Sequence, residues 1–240
     1  MRRDVVNLEG GNVVAYGSWG RPVLVFPSQE GNAFDYEDRG MVDAVAWLVE
    51  EGRLKLYTVD SHDSASWCRD GASLEDRARN HETYDRWITQ TVAPWIHADC
   101  GGFQEILLTG CSLGAYHAAN FALRRADLFP VAICQSGVYD LSVLGGGERG
   151  EAFYFNNPAD YVANLGGDHL DWLRGQVSLL LVAGQGAWED TTGALESTRR
   201  FAGLLQGKGI RCELDVWGHD VAHDWPWWRT QIAHHLPRFV

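Results

Sequence analysis

Two stretches of this sequence, Val23-Leu24-Val25-Phe26 and Leu179-Leu180-Leu181-Val182, are apolar at every position. A strand with one wet face alternates polar and apolar residues, whereas a run without alternation suits a strand covered on both faces. Such strands belong to a parallel sheet lying between two helical layers. Short apolar runs bounded by turn residues are expected as strands at 12–17, 22–27, 54–59, 105–110, 131–135, 178–183 and 211–217. Longer amphipathic stretches at 38–51, 77–98, 113–126, 192–207 and 225–236 read as helices between them. The alternation implies an α/β fold with a mostly parallel central sheet flanked by helices. The segment 137–175, rich in Gly, Asn and aromatic residues, fits neither pattern and is expected to form a lid-like insertion. No repeat, low-complexity tract or linker interrupts the chain. Its 240 residues, 45% hydrophobic, are expected to form one domain spanning 1–240.

Charge and cysteine usage narrow the class. The formal net charge of -12 argues against sequence-independent binding to nucleic acid or to anionic lipid, since both need Lys and Arg against phosphates. Nothing after Met1-Arg2-Arg3-Asp4 resembles a secretory apolar region, and no run approaches the roughly 18 apolar residues that span a bilayer. A cytoplasmic location is the expectation, and self-association is left open. Cys68, Cys100, Cys111, Cys134 and Cys212 are scattered, odd in number and free of any C-x-x-C pair, which suits reduced thiols. Most of the eleven Trp are expected to serve packing, with a minority lining an acyl pocket.

The most informative motif is Gly110-Cys111-Ser112-Leu113-Gly114, a G-x-S-x-G run between an expected buried strand and an Ala-rich helix. In that context the motif reads as a nucleophile elbow, a sharp strand-to-helix turn presenting a serine hydroxyl. Gly110 and Gly114 permit the turn and the close approach of neighbouring chains, and Ala115, Ala118 and Ala119 let the helix pack tightly. At the helix N-terminus the backbone N–H of Leu113 is placed to bind a developing oxyanion. The alternative is an ordinary turn whose serine caps the helix.

A serine hydroxyl needs a base, and in this arrangement the order along the chain is Ser, then Asp or Glu, then His. Two histidines follow the last expected strand, in Trp217-Gly218-His219-Asp220-Val221-Ala222-His223-Asp224-Trp225-Pro226-Trp227-Trp228. The spacing of His219 and His223 would face one metal ion on a helix, but Gly218 and Pro226 argue against a helix there, and neither a metal nor a cofactor is expected. After the strand ending near Ala183, Gly184-Gln185-Gly186-Ala187-Trp188-Glu189-Asp190 offers two carboxylates. His-Asp-Trp-Pro-x-Trp near the end of the chain resembles the C-terminal signature of the putative-esterase family of the α/β-hydrolase superfamily, which includes S-formylglutathione hydrolases and mycolyltransferases.

The resemblance covers about 20–236 and rests on the elbow and this signature. It implies the α/β-hydrolase fold and acyl-transfer chemistry, and it favours His223 over His219 as the base. Trp225-Pro226, one residue beyond His223, also supplies an anchor by bulky burial and a fixed φ, with Pro226 in the first turn of the last helix. Similar esterases place the acid about three residues after a loop glycine, which from Gly186 points to Glu189, with Asp190 as the reserve or as a cap for the stretch from Thr191. The loop Phe26-Pro27-Ser28-Gln29-Glu30-Gly31-Asn32 occupies the position of the family's oxyanion loop but lacks its common His-Gly or Asp-Gly pair. Counting from the strand selects the backbone of Gln29 as the second donor, with Glu30 next.

In Asp60-Ser61-His62-Asp63-Ser64-Ala65-Ser66-Trp67, which would open on the same edge of the sheet, Trp67 is the candidate substrate contact, a structural rim role being its alternative. Arg77, His81 and Tyr84 share a helix face and read as packing residues. The expectation is a serine hydrolase acting on a small-molecule carboxylic ester or related acyl compound through an acyl-enzyme. An acyltransferase with the same triad and a non-catalytic binding module are the alternatives.

Overall fold

The computed structural model describes residues 1–240. Eight strands, β1 Arg3–Leu8, β2 Gly11–Tyr16, β3 Arg21–Phe26, β4 Leu54–Val59, β5 Leu107–Cys111, β6 Val131–Gln135, β7 Ser178–Ala183 and β8 Arg211–Val216, form one sheet in the order β1-β2-β4-β3-β5-β6-β7-β8. The β1–β2 and β2–β4 pairs are antiparallel and all others parallel. Every expected strand is present within two residues of its expected ends. The unexpected one is β1, an edge strand of sequence Arg-Asp-Val-Val-Asn-Leu whose residues alternate between exposed and half-buried. Its weak apolar content hides it, because it closes one side of a hairpin and buries little.

The helices follow from the apolar stripes of the sequence. The stretch expected at 38–51 divides at Gly40, in the left-handed region at φ 70°, into α1 Asp35–Asp38 and α2 Met41–Glu50. The stretch expected at 77–98 is continuous but not uniform. It runs as α3 Leu74–Trp87, a π turn over Ile88–Val92 and α4 Ala93–Asp99. Pro94 has no N–H to donate one turn back, and the widened turn lies just ahead of it. Ser73 caps α3, its hydroxyl accepting from the Asp76 N–H and donating to the Asp76 carboxylate. The elbow helix α5 Leu113–Arg124 is buried along nearly its whole length, which its small residues permit. Helices α9 Ala194–Gly207 and α10 Trp225–His235 complete the layers.

The two faces of the sheet carry separate cores. Leu24, Phe26, Leu108 and Cys134 join residues of α3, α5 and α9 on one face, while Val23, Val25, Leu107, Ile133 and Val182 join α2 and α10 on the other. Both faces of β3, β5, β6 and β7 are therefore covered, which explains their unbroken apolar runs. Because β3 is followed by β4 on one side and β5 on the other, the strand order reverses at β3. The crevice beside its carboxyl end is the place where such sheets take ligands.

The segment 137–175 is more regular than its sequence suggests. It forms a 3₁₀ turn over Leu141–Leu144 and three short helices, α6 Glu151–Asn156, α7 Pro158–Asn164 and α8 Gly167–Gln176. Each is too short for a helical period to show in the sequence. Its Leu141 and Phe153 share a small core with Trp67, Tyr116 and Leu113.

One carboxylate fastens this segment to α3. Glu75 is buried and accepts from the N–H groups of Gly150, Ala152 and Phe153 at the start of α6, and from Arg79. Burial alone would raise its pKa, but the Phe153, Arg79, Ala152 and Gly150 hydrogen bonds outweigh burial and hold the carboxyl below the ordinary glutamate range. A carboxyl that ionises lower in the folded than in the unfolded chain stabilises above the unfolded value, and the contribution is lost as pH falls through the folded one. Glu75→Ala is expected to cost about 1.5–3 kcal/mol by urea denaturation and to expose residues 145–157 to limited proteolysis at neutral pH. The difference in stability from the parent is expected to shrink as the pH is lowered below the ordinary glutamate range. An unchanged urea midpoint and digestion pattern would show that α6 is held by other contacts.

Candidate active site

The elbow forms where β5 runs into α5. Ser112 has φ 57° and ψ -120°, a strained conformation for a residue with a side chain, and such strain persists only where surrounding structure over-determines it. Here backbone crowding does so. A side-chain carbon on Gly114 would lie 2.4 Å from the Pro27 carbonyl oxygen and 2.6 Å from that of Phe26. One on Gly110 would meet the Gly114 carbonyl oxygen at 2.4 Å. Only glycine lets the end of β3 press on the first turn of α5, and that contact seats the 27–31 loop beside Ser112.

His223 reaches the serine from the β8 side. Its Nε2 lies 3.1 Å from Ser112 Oγ, and its Nδ1 lies 3.4 Å from Glu189 Oε2. The ring packs edge-on against Trp228, with centroids 4.9 Å apart. Asp224 caps α10 by accepting from the Trp225 N–H at 2.7 Å, with Pro226 in the first turn, so His223 sits just before a helix start as the Trp-Pro anchor implies. His219 is exposed and its side chain makes no hydrogen bond.

Glu189 is completely buried, and each of its oxygens is engaged. Oε1 accepts from Ser136 Oγ at 2.5 Å and from the Gly184 N–H at 3.1 Å, while Oε2 faces the imidazole. Ser136 in turn accepts from the indole N–H of Trp228 at 3.0 Å. A buried carboxylate with fewer partners would be costly. Asp190, the reserve for the acid, is exposed and only accepts from the adjacent Thr191 N–H. It caps that turn and not a helix, because α9 starts later, after Gly193.

The loops carrying Glu189 and His223 are stitched together. The Gly186 N–H donates to the Val221 carbonyl at 2.8 Å, Gln185 N–H to Gly218 at 3.1 Å, and His223 N–H to Ala187 at 2.9 Å. A side-chain carbon on Gly184 would fall 2.0 Å from the Val221 carbonyl oxygen, so these backbones touch directly.

In the loop after β3, the Glu30 N–H is taken by Asp63 Oδ2 and the Gly31 N–H by the Ser28 carbonyl. The N–H groups of Ser28, Gln29 and Leu113 have no intramolecular acceptor. The N–H groups of Ser28, Gln29 and Leu113 therefore remain available as donors, whereas that of Glu30 does not. Trp67 requires correction. It is fully buried against Tyr116, His81 and Phe153, with no surface for a substrate, because the loop after β4 turns it inward beneath α3. The exposed indole next to the acid is Trp188, which is 58% exposed and left-handed at φ 65°.

Ser136 is the member that sequence reasoning missed. It follows β6 on the same edge of the sheet, with φ 52°, but Ser136-Gly137 reads as the mere start of the insertion. Its position directly after the last residue of a buried parallel strand, Gln135, is the signal that would have found it. All five cysteines are free, and burial pushes the Cys111 thiol next to the serine well above its ordinary pKa.

Residues 36–239 match the model of the family described as "Putative esterase". Comparison with curated proteins gives no match. Among solved structures, the chain resembles a ferulic acid esterase with a TM-score of 0.73 at 17% identity, over 99% of this chain and 95% of that one. It resembles S-formylglutathione hydrolase from Staphylococcus aureus with a TM-score of 0.67 at 15% identity, over 99% and 95%. MPT51 of Mycobacterium tuberculosis gives 0.78 at 13% identity, over 99% and 97%. At these identities the structural likeness is one of fold, and it agrees with the family match, which takes in most of the sheet and the whole of the elbow. The chain belongs to the putative-esterase family, and by that membership is a carboxylic ester hydrolase of the α/β-hydrolase fold.

Proposed function

We propose that the chain hydrolyses small-molecule carboxylic esters through a Ser112–His223–Glu189 triad and an acyl-enzyme. The observation carrying this reading is the continuous chain of hydrogen bonds from Ser112 Oγ through the imidazole to a buried, multiply held carboxylate, at a serine in elbow geometry. Ser112 Oγ attacks the ester carbonyl carbon while His223 Nε2 takes its proton. Glu189 orients the ring and stabilises the imidazolium. The oxyanion accepts from the N–H groups of Leu113 and Gln29. The imidazolium then gives its proton to the departing alkoxide, and a water activated by the same nitrogen attacks the acyl carbon and releases Ser112. Trp188, exposed beside the acid, is a better substrate contact than the buried Trp67. The segment 137–175 acts as a lid on the acyl side, where Leu141 and Phe153 adjoin Leu113.

Ser112→Ala is expected to abolish turnover of p-nitrophenyl acetate with the circular-dichroism spectrum unchanged, and a fluorophosphonate probe is expected to label the parent protein once, on Ser112. Turnover by a clean Ser112→Ala preparation would end the assignment.

His223→Ala is expected to lower kcat by about 10³-fold or more, since loss of one triad member leaves only binding and oxyanion contributions. His219→Ala, in an exposed loop, is expected to cost about tenfold at most. The reverse ranking would make His219 the base.

Ser136→Ala removes a hydrogen bond to the acid and leaves the Trp228 N–H without its acceptor. At about 1 kcal/mol net for such a bond, kcat is expected to fall roughly fivefold. Unchanged KM and kcat would show that the Gly184 N–H alone positions Glu189.

A further inference from the structure

Behind the elbow lies a second buried carboxylate that the triad does not use. Asp63, 1% exposed, sits in the 3₁₀ turn Asp63–Ala65 after β4, and His117, 0% exposed, lies on α5 one turn beyond Leu113. His117 Nε2 is 2.9 Å from Asp63 Oδ1, while Asp63 Oδ2 accepts from the Glu30 N–H at 3.1 Å. The same carboxylate thus joins the helix that carries the Leu113 N–H to the loop that carries the Gln29 N–H.

Neighbouring contacts fix the geometry. Asp60 Oδ1 accepts from the Ala33 N–H at 2.9 Å, and the Ser61 N–H donates to the Gly31 carbonyl at 3.2 Å, so the loop after β4 holds the loop after β3 at three points. Glu30 is left-handed at φ 55° in the middle of these contacts, a conformation that a side-chain-bearing residue keeps only when bound in place. His81, fully buried, stacks on the His117 ring at 5.2 Å, and burial followed by the neighbouring His117 holds its pKa well below the usual histidine range. His81 is therefore a neutral wall beside the pair.

Burying a carboxylate and an imidazole is expensive, and a chain that only needed to fill this space would do so with apolar residues. We infer that Asp63 is a positioning residue of the ester-hydrolysis site, setting the separation of the two oxyanion donors by holding Glu30 with one oxygen and His117 with the other. It touches no reacting atom. The inference rests on the oxyanion role proposed above for Leu113 and Gln29. A donor pair set at the right spacing for the tetrahedral intermediate lowers the barrier without tightening the substrate complex, so the effect belongs in kcat.

The test compares Asp63→Ala and Asp63→Asn with the parent for p-nitrophenyl acetate hydrolysis. The fluorophosphonate end point gives the concentration of active sites, and a trifluoromethyl ketone serves as the transition-state analogue. Asp63→Ala is expected to lower kcat per labelled site at least 100-fold with KM within about threefold, and to weaken the trifluoromethyl ketone in step with kcat/KM. The asparagine amide keeps an acceptor for the Glu30 N–H and can donate to His117 in its other neutral tautomer. Asp63→Asn is accordingly expected to recover at least tenfold of the alanine loss.

Should the alanine variant not fold, Asp63→Asn carries the test alone, with kcat three- to tenfold below the parent and KM unmoved. The inference is overturned by kcat per labelled site within twofold of the parent, by a loss confined to KM, or by an asparagine variant no better than alanine. Failure of the probe to label the parent protein would instead remove the triad reading itself.

Discussion

The contact on which the rest of the site depends is a backbone one, between the end of β3 and the first turn of α5. Phe26 and Pro27 present their carbonyls where any side chain on Gly114 would stand. That packing holds Ser112 in its strained φ and brings the helix N-terminus to the edge of the sheet. The burial of every residue of β5, and of all but the first of β3, serves the same end. Strands covered on both faces cannot shift in register without exposing apolar surface, so the edge they present is stationary.

Around that edge the molecule buries three carboxylates, each with several partners. Glu75 holds the insertion, Glu189 meets the imidazole, and Asp63 joins the loop after β3 to the elbow helix. Unpaired, each would be strongly destabilising; fully hydrogen-bonded, each fixes a direction in space that apolar packing leaves free. These three carboxylates thus add direction to an interior whose two large apolar clusters lie on opposite faces of the sheet.

The parts legible in the sequence were those governed by local pattern. Strands covered on both faces announced themselves as apolar runs, and the elbow was readable because its glycines, its serine and its alanines must be adjacent. The placement of His223 just before a helix start was legible through Trp225-Pro226, which open that helix. What stayed hidden depends on contacts between distant segments. β1 carries Arg3, Asp4 and Asn7 among its six residues, so it resembles a surface loop until β2 pairs with it. The inward turn of Trp67, the occupation of the Glu30 N–H by Asp63, and the approach of Ser136 to Glu189 each join loops separated by at least thirty residues. No spacing rule within one segment reports them.

The stitching of the Glu189 loop to the His223 loop has a mechanical consequence. Glu189 and His223 ride on backbones that touch at Gly184 and Val221 and share several hydrogen bonds, so they behave as one body. Ser112 and the loop after β3 form another, closed by the Gly114 contact. The 3.1 Å contact between His223 Nε2 and Ser112 Oγ crosses between the two, and so does β6, where the Gln135 carbonyl accepts from the Ser112 N–H and Ser136 donates to Glu189. A displacement of either body is therefore opposed at β6 as well as at that contact.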